Sequence, residues 1–148
     1  MLERLPTVLR NSYVSRLISN ILSSSEFGNL KYTKKFGIDS YSGLNWLLQG
    51  LKINKTELRI QVHHLIEQRF VRVMAETLGT NTNAWQSIVL TIEEHQAFTN
   101  AWRARIGYNG QAAGSFGVTT STATREQIIQ AAREVYRNYP EILRALGL

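Results

Sequence analysis

Leu58-Arg59-Ile60-Gln61-Val62-His63-His64 alternates apolar and polar side chains through residue 63, the two-residue rhythm of a half-buried strand. A second stretch, Ser87-Ile88-Val89-Leu90, is short, β-branched and apolar, and reads as another strand. Thr91-Ile92-Glu93-Glu94 follows directly as a capping box. The Thr91 hydroxyl can accept from the Glu94 amide while the Glu94 carboxylate reaches back to the start of the helix. A helix is therefore expected from Ile92 to about Arg105, before Gly107 and Asn109-Gly110 end it. Strand, strand, helix over residues 58–106 is the unit that sets the fold class.

Outward from that unit the chain is mostly helical. Phe70 to Leu78 has helical spacing and stops at Gly79 and the polar Thr80-Asn81-Thr82-Asn83. Leu44, Leu47, Leu48 and Leu51 predict a short helix ending near Gly50, and Glu26 to Ser42 reads as irregular. Val8, Leu9, Val14, Leu17, Ile18, Ile21 and Leu22 predict an N-terminal helix with Pro6 in its first turn. On the far side, Gln111 to Ser121 is small and polar, a loop. Thr124 and Gln127 form a second capping box ahead of Ile128, Ile129, Ala132, Val135 and Tyr136, and Pro140 opens a last helical turn. The expectation is one α+β domain over residues 1–148, mostly helical, with helical flanks at 1–57 and 107–148.

Composition narrows the functional classes. At 148 residues with 43% hydrophobic and 19% charged residues, the chain suits a globular domain with a core and not a disordered segment. Cysteine is absent, which excludes disulfides, a thiol nucleophile and cysteine zinc sites. No apolar run reaches membrane-spanning length, and no membrane partner is expected. Met1-Leu2-Glu3-Arg4-Leu5-Pro6 lacks the basic-then-apolar start of a signal peptide. The formal charge is +6, and nearly all of the excess lies in residues 1–63, with 9 bases against 4 acids. Such an excess suits an anionic partner, although a solvated basic surface has the same composition.

The histidines are the sharpest signal. The chain has three: His63 and His64 adjacent at the end of the first strand, and His95 in the first turn of the helix after the second. Any one alone reads as an ordinary surface or half-buried residue. Three confined to one strand–strand–helix unit point instead to a metal or acid–base site, the two tasks imidazole performs near neutral pH.

His63-His64-Leu65-Ile66-Glu67-Gln68-Arg69-Phe70, with Ile88-Val89-Leu90-Thr91 and Glu94-His95, resembles the HNH, or ββα-metal, nuclease superfamily. The likeness is greatest to the His-His variants found as C-terminal toxin domains of bacterial polymorphic and contact-dependent toxins. The resemblance implies a ββα-metal core and a metal-dependent endonuclease, acting more on DNA than on RNA. It implies one divalent ion (Mg²⁺, Mn²⁺, Zn²⁺ or Ni²⁺), with His63 as ligand, His64 as general base and His95 as second ligand. A third ligand is expected about one turn later. There the helix offers Thr99 on the His95 face and Asn100 some ~140° away, and amide chemistry favours Asn100. The second-strand asparagine that orients the base in the family has Ser87 at its aligned position, with Asn83 four residues earlier. Arg69 and Arg103 are candidate phosphate binders, since the guanidinium fork matches phosphate oxygens, and Glu67 is a candidate support for an imidazole. Lys31, Lys34 and Lys35, with Tyr32 among them, form a basic cluster able to track a nucleic-acid backbone or simply face water. Trp85, Phe98 and Trp102 read as core.

The toxin likeness further implies delivery into a target-cell cytoplasm and a dedicated immunity protein. Two other readings stand beside it. One is a metal-independent RNase using His64 and His95 as base and acid. The other is a non-catalytic nucleic-acid-binding domain presenting Phe70–Leu78, or the helix after Thr124, to a groove.

Overall fold

In a computed structural model the described residues are 29–148, so the predicted helix from Pro6 to Leu22 lies outside them. The elements are α1 (Thr33–Phe36), β1 (Asp39–Ser40), α2 (Tyr41–Gly50), α3 (Lys55–Leu58), β2 (Ile60–His64), α4 (Val71–Leu78), β3 (Gln86–Thr91), α5 (Ile92–Arg105), β4 (Ile106–Gly107), β5 (Val118–Thr119), α6 (Arg125–Val135) and α7 (Pro140–Ala145). The class is α+β, as read. Both capping boxes form: Thr91 with Glu94 opens α5, and Thr124 with Gln127 opens α6. The segment read as irregular carries α1 and β1, and the loop after Gln111 carries β5, which pairs parallel with β4. These elements are two to four residues long and exist through tertiary pairing, so no local periodicity announces them.

The main sheet has the order β1-β3-β2, with both pairs antiparallel. His63 stands opposite Ile88 and His64 opposite Ser87. Because successive residues of a strand face opposite ways, the sheet carries two cores. Ile60, Val62 and Val89 pack with Leu44 and Leu48 of α2. Ile88 and Leu90 pack on the other side with Phe98 and Trp102 of α5 and with Ala131, Ala132 and Tyr136 of the C-terminal helices. Trp85, Phe98 and Trp102 are buried as the sequence predicts.

β2 is an edge strand. The Leu65 N–H donates to the Gln86 carbonyl at 2.9 Å and the Ile92 N–H to the Arg59 carbonyl at 2.9 Å, extending the ladder at both ends. Odd-numbered residues of β2 therefore aim their backbone groups at β3, and Ile60, Val62 and His64 aim theirs away. At β4 a close approach demands glycine. A Cβ on Gly107 would run into the Ala112 carbonyl, and one on Gly114 into the backbone of Arg105.

Candidate active site

The alternation of β2 sends His64 to the α2 face and His63 to the α5 face. The His64 ring lies flat on the Tyr41 ring, with centroids 4.2 Å apart and planes 6° apart. Its Nε2 is 3.0 Å from the Thr82 carbonyl oxygen. A carbonyl can only accept, so Nε2 carries the proton and Nδ1 keeps its lone pair. Burial lowers the His64 pKa, and the bond to Thr82 opposes this in part. The residue facing His64 across the sheet, Ser87, donates its hydroxyl to the Trp85 carbonyl at 3.1 Å. The ring contact expected of Ser87 is thus made by a backbone carbonyl of the 3₁₀ turn Thr82–Ala84 before β3.

His63 is held by a second proton chain. The Tyr136 hydroxyl donates to the Leu65 carbonyl at 2.5 Å, which uses its only hydrogen. Its oxygen then accepts from Trp102 Nε1 at 3.5 Å and from His63 Nε2 at 3.4 Å, both long contacts. His63 is thus also protonated on Nε2, with Nδ1 bare. Burial, followed by the nearby His95 and His64, pushes its pKa down to about 3, so the ring is neutral. His95 meets it edge to face, with centroids 4.9 Å apart and planes 85° apart. Burial lowers the His95 pKa as well.

No hydrogen bond occupies Nδ1 of His63 or His64. No buried side-chain nitrogen or oxygen among the described residues lacks a partner. Both Nδ1 atoms are therefore accessible, and both residues line one open cleft of about 790 Å³ that also includes Tyr41, Glu67, His95 and Thr99. Neighbours that point to opposite faces share a site because β2 is an edge strand and the cleft wraps around it.

Other candidates fall differently. Thr99 lines the cleft, whereas Asn100 does not, and its amide oxygen already accepts from Gln96 and Arg103. Helix geometry overrides the preference for an amide ligand there. Arg69 lines the cleft, but four of its five N–H donors are spent within the protein. They go to Glu67, Ile106, Thr120 and Gly107, and its guanidinium lies between the rings of Phe70 and Tyr108. It fastens the segment after α5 to the loop after β2 and is no free phosphate fork. Glu67 faces Arg69 at 2.7 Å rather than an imidazole. Its pKa is raised by burial against the opposing pull of Arg69. Arg103 is exposed, bonded to Asn100 and outside the cleft lining. Lys31, Lys34 and Lys35 do not line the cleft.

Sequence reasoning missed Tyr41, Thr82 and the polar role of Tyr136. Tyr136 was visible only as one position of a buried helical face. The neutral donors His63 and His95, with the Thr99 hydroxyl, fit a hard or borderline divalent ion that keeps several water or phosphate ligands. Among the described residues no group of three or more His, Cys, Asp or Glu is placed to hold a metal ion. Compared with family models, curated proteins and solved structures, the chain matches none.

Proposed function

We propose that this chain is a metal-dependent endonuclease of the ββα-metal type, hydrolysing phosphodiester bonds, of DNA in preference to RNA. The observation that carries the reading is the pair of bare Nδ1 atoms, on adjacent residues of opposite faces, opening on one cleft at a sheet edge. His63 and His95 would hold a divalent ion beside Thr99, and such an ion supplies polarisation of a phosphoryl oxygen and stabilisation of the leaving oxygen. His64, neutral and locked in the Nδ1-bare tautomer, takes the proton of the attacking water. Lys55, bonded only to the neutral Asn45 amide, and Arg59, ion-paired with Glu93 at 2.9 Å, line the same cleft, so Lys55 is the cation left to meet the phosphodiester.

The metal-independent RNase reading is weaker on electrostatic grounds. It needs one imidazole protonated as general acid, and all three histidines have lowered pKa values. The binding-only reading leaves the two oriented imidazoles without a use. A delivered toxin acting in a target-cell cytoplasm, held in check by a cognate immunity protein, is the setting that the family likeness adds.

The test is incubation of purified protein with supercoiled plasmid and with total RNA, each with Mg²⁺, Mn²⁺, Zn²⁺, Ni²⁺ or EDTA. Nicking of plasmid with a divalent ion, lost in EDTA and in His64→Ala, is the expected result. Undiminished cutting in EDTA, or by His64→Ala, overturns the mechanism.

A further inference from the structure

The outward backbone groups of β2 are unclaimed. No strand pairs with that side of β2, and no hydrogen bond engages the outward N–H or C=O of Ile60, Val62 or His64 among the described residues. This is not an open surface. Ile60, Val62 and His64 are 2%, 9% and 8% exposed, and all three line the cleft. The unpaired row therefore lies along the cleft floor. Recessed backbone donors and acceptors are costly without partners, so a ligand that supplies them is favoured.

The pattern of the row says what fits. Each outward residue presents one N–H and one C=O, so donors and acceptors alternate along the edge. A phosphodiester offers acceptors only and would meet repulsive carbonyls at every second position. An extended polypeptide offers the same alternation in return, which is how strands add to sheet edges. The charge lining the cleft decides its composition. Of the cations that line it, Arg69 is paired with Glu67 and Arg59 with Glu93, while the Lys55 ammonium meets only the neutral Asn45 amide, so the lining keeps one uncompensated positive charge. We infer that the free edge of β2 is a docking site for an extended acidic segment of a partner protein, which adds a fourth strand to the sheet. Seated there, the segment covers His63 and His64 from the side the substrate must approach. The docking goes beyond the nuclease reading, and only its inhibitory consequence rests on that reading.

The test uses the ¹⁵N-labelled full chain in EDTA and a capped peptide of alternating glutamate and valine. Backbone amide exchange at Val62 and His64 is expected to slow by at least about tenfold at saturating peptide, while Gln61 and His63, already bonded to β3, stay unchanged. The same peptide N-methylated at alternate residues keeps its charge but loses strand donors, and it should protect neither amide. Equal protection by the methylated peptide would show that charge alone binds, and would overturn the proposal. So would protection of these amides by duplex DNA with none from the peptide, the nucleic-acid outcome. Val62→Pro removes one outward N–H and spares the ladder, so peptide binding should weaken at least about fivefold. If that variant does not fold, the methylated peptide decides. A protein whose edge binds the peptide but which cuts no plasmid refutes the nuclease reading and leaves this one standing; one that cuts but shows no protection does the reverse.

Discussion

The Tyr41 ring is stacked on the His64 ring at 4.2 Å and 6°, while the Thr82 carbonyl holds the Nε2 edge of the same imidazole. One contact sets the plane of the ring and the other its rotation. Tyr41→Phe keeps the stacking face and should cleave at close to the parent rate. Tyr41→Ala frees the ring and should lower kcat by about tenfold or more with KM little changed, since misplacing a base costs transition-state geometry rather than binding. Steady-state kinetics on an oligonucleotide substrate separate the two parameters.

Activity should rise with pH and level off below the usual imidazole range. In the proposed mechanism His64 serves as base, which an imidazole does only when neutral, and burial lowers its pKa. The rate therefore falls when acid protonates the ring, at a pH lower than the ordinary value of 6.5. Initial rates across acidic and neutral pH at fixed metal check this. A midpoint above the ordinary value would contradict the desolvated setting.

Arg69→Ala should unfold more readily rather than bind substrate less well. The change orphans the Ile106 carbonyl, takes one donor from the Gly107 carbonyl, which keeps the Thr120 N–H, and leaves the Glu67 carboxylate half-buried without its partner. Each buried group so abandoned costs about 1–3 kcal/mol. Lysine, with one point charge in place of a fork, should restore little. Denaturant midpoints should drop for both variants, with KM of the folded fraction unchanged.

Acid should destabilise the protein through His63. Its folded pKa is about 3 against 6.5 for the free ring. The unfolded chain takes up a proton that the folded chain refuses. The stability is thus complete above the unfolded value and lost progressively as pH falls toward the folded one. At about 1.4 kcal/mol per unit the span is worth at most ~5 kcal/mol. Urea unfolding of the metal-free protein at several pH values should show a flatter profile for His63→Gln than for the parent chain.

Tyr136→Phe isolates the other proton chain. The variant keeps the ring in the core but removes the oxygen that accepts from His63 and Trp102 and the hydrogen given to Leu65. A loss of about 1–3 kcal/mol in denaturant unfolding is expected. An unchanged midpoint would mean that the three bonds of this hydroxyl together contribute nothing.

Much of the scaffold was legible because it is written in local chemistry. Thr91 and Glu94 are three residues apart and their bonds close within one turn, so the start of α5 could be read from four letters. The alternation before His63 marked β2 for the same reason, but it overran the start: Leu58 ends α3 and is exposed, Arg59 is left-handed, and the strand begins at Ile60. Asn100 shows where such reading ends. Its amide is the better ligand by chemistry, but its place on the helix keeps it out of the cleft and in contact with Gln96 and Arg103. Arg69 shows the other limit: a fork that looks free in the sequence finds acceptors at Ile106, Gly107 and Thr120, far along the chain.

By itself the sequence determined the α+β class, the caps and the three histidines as the group to watch, since periodicity, capping and residue chemistry act over a few positions. Only the tertiary structure decided that β2 lies at a sheet edge, that Tyr41 and Thr82 orient His64, and that Tyr136 does the same for His63. Those contacts join residues up to 73 positions apart, and no local rhythm encodes which distant donor meets which acceptor.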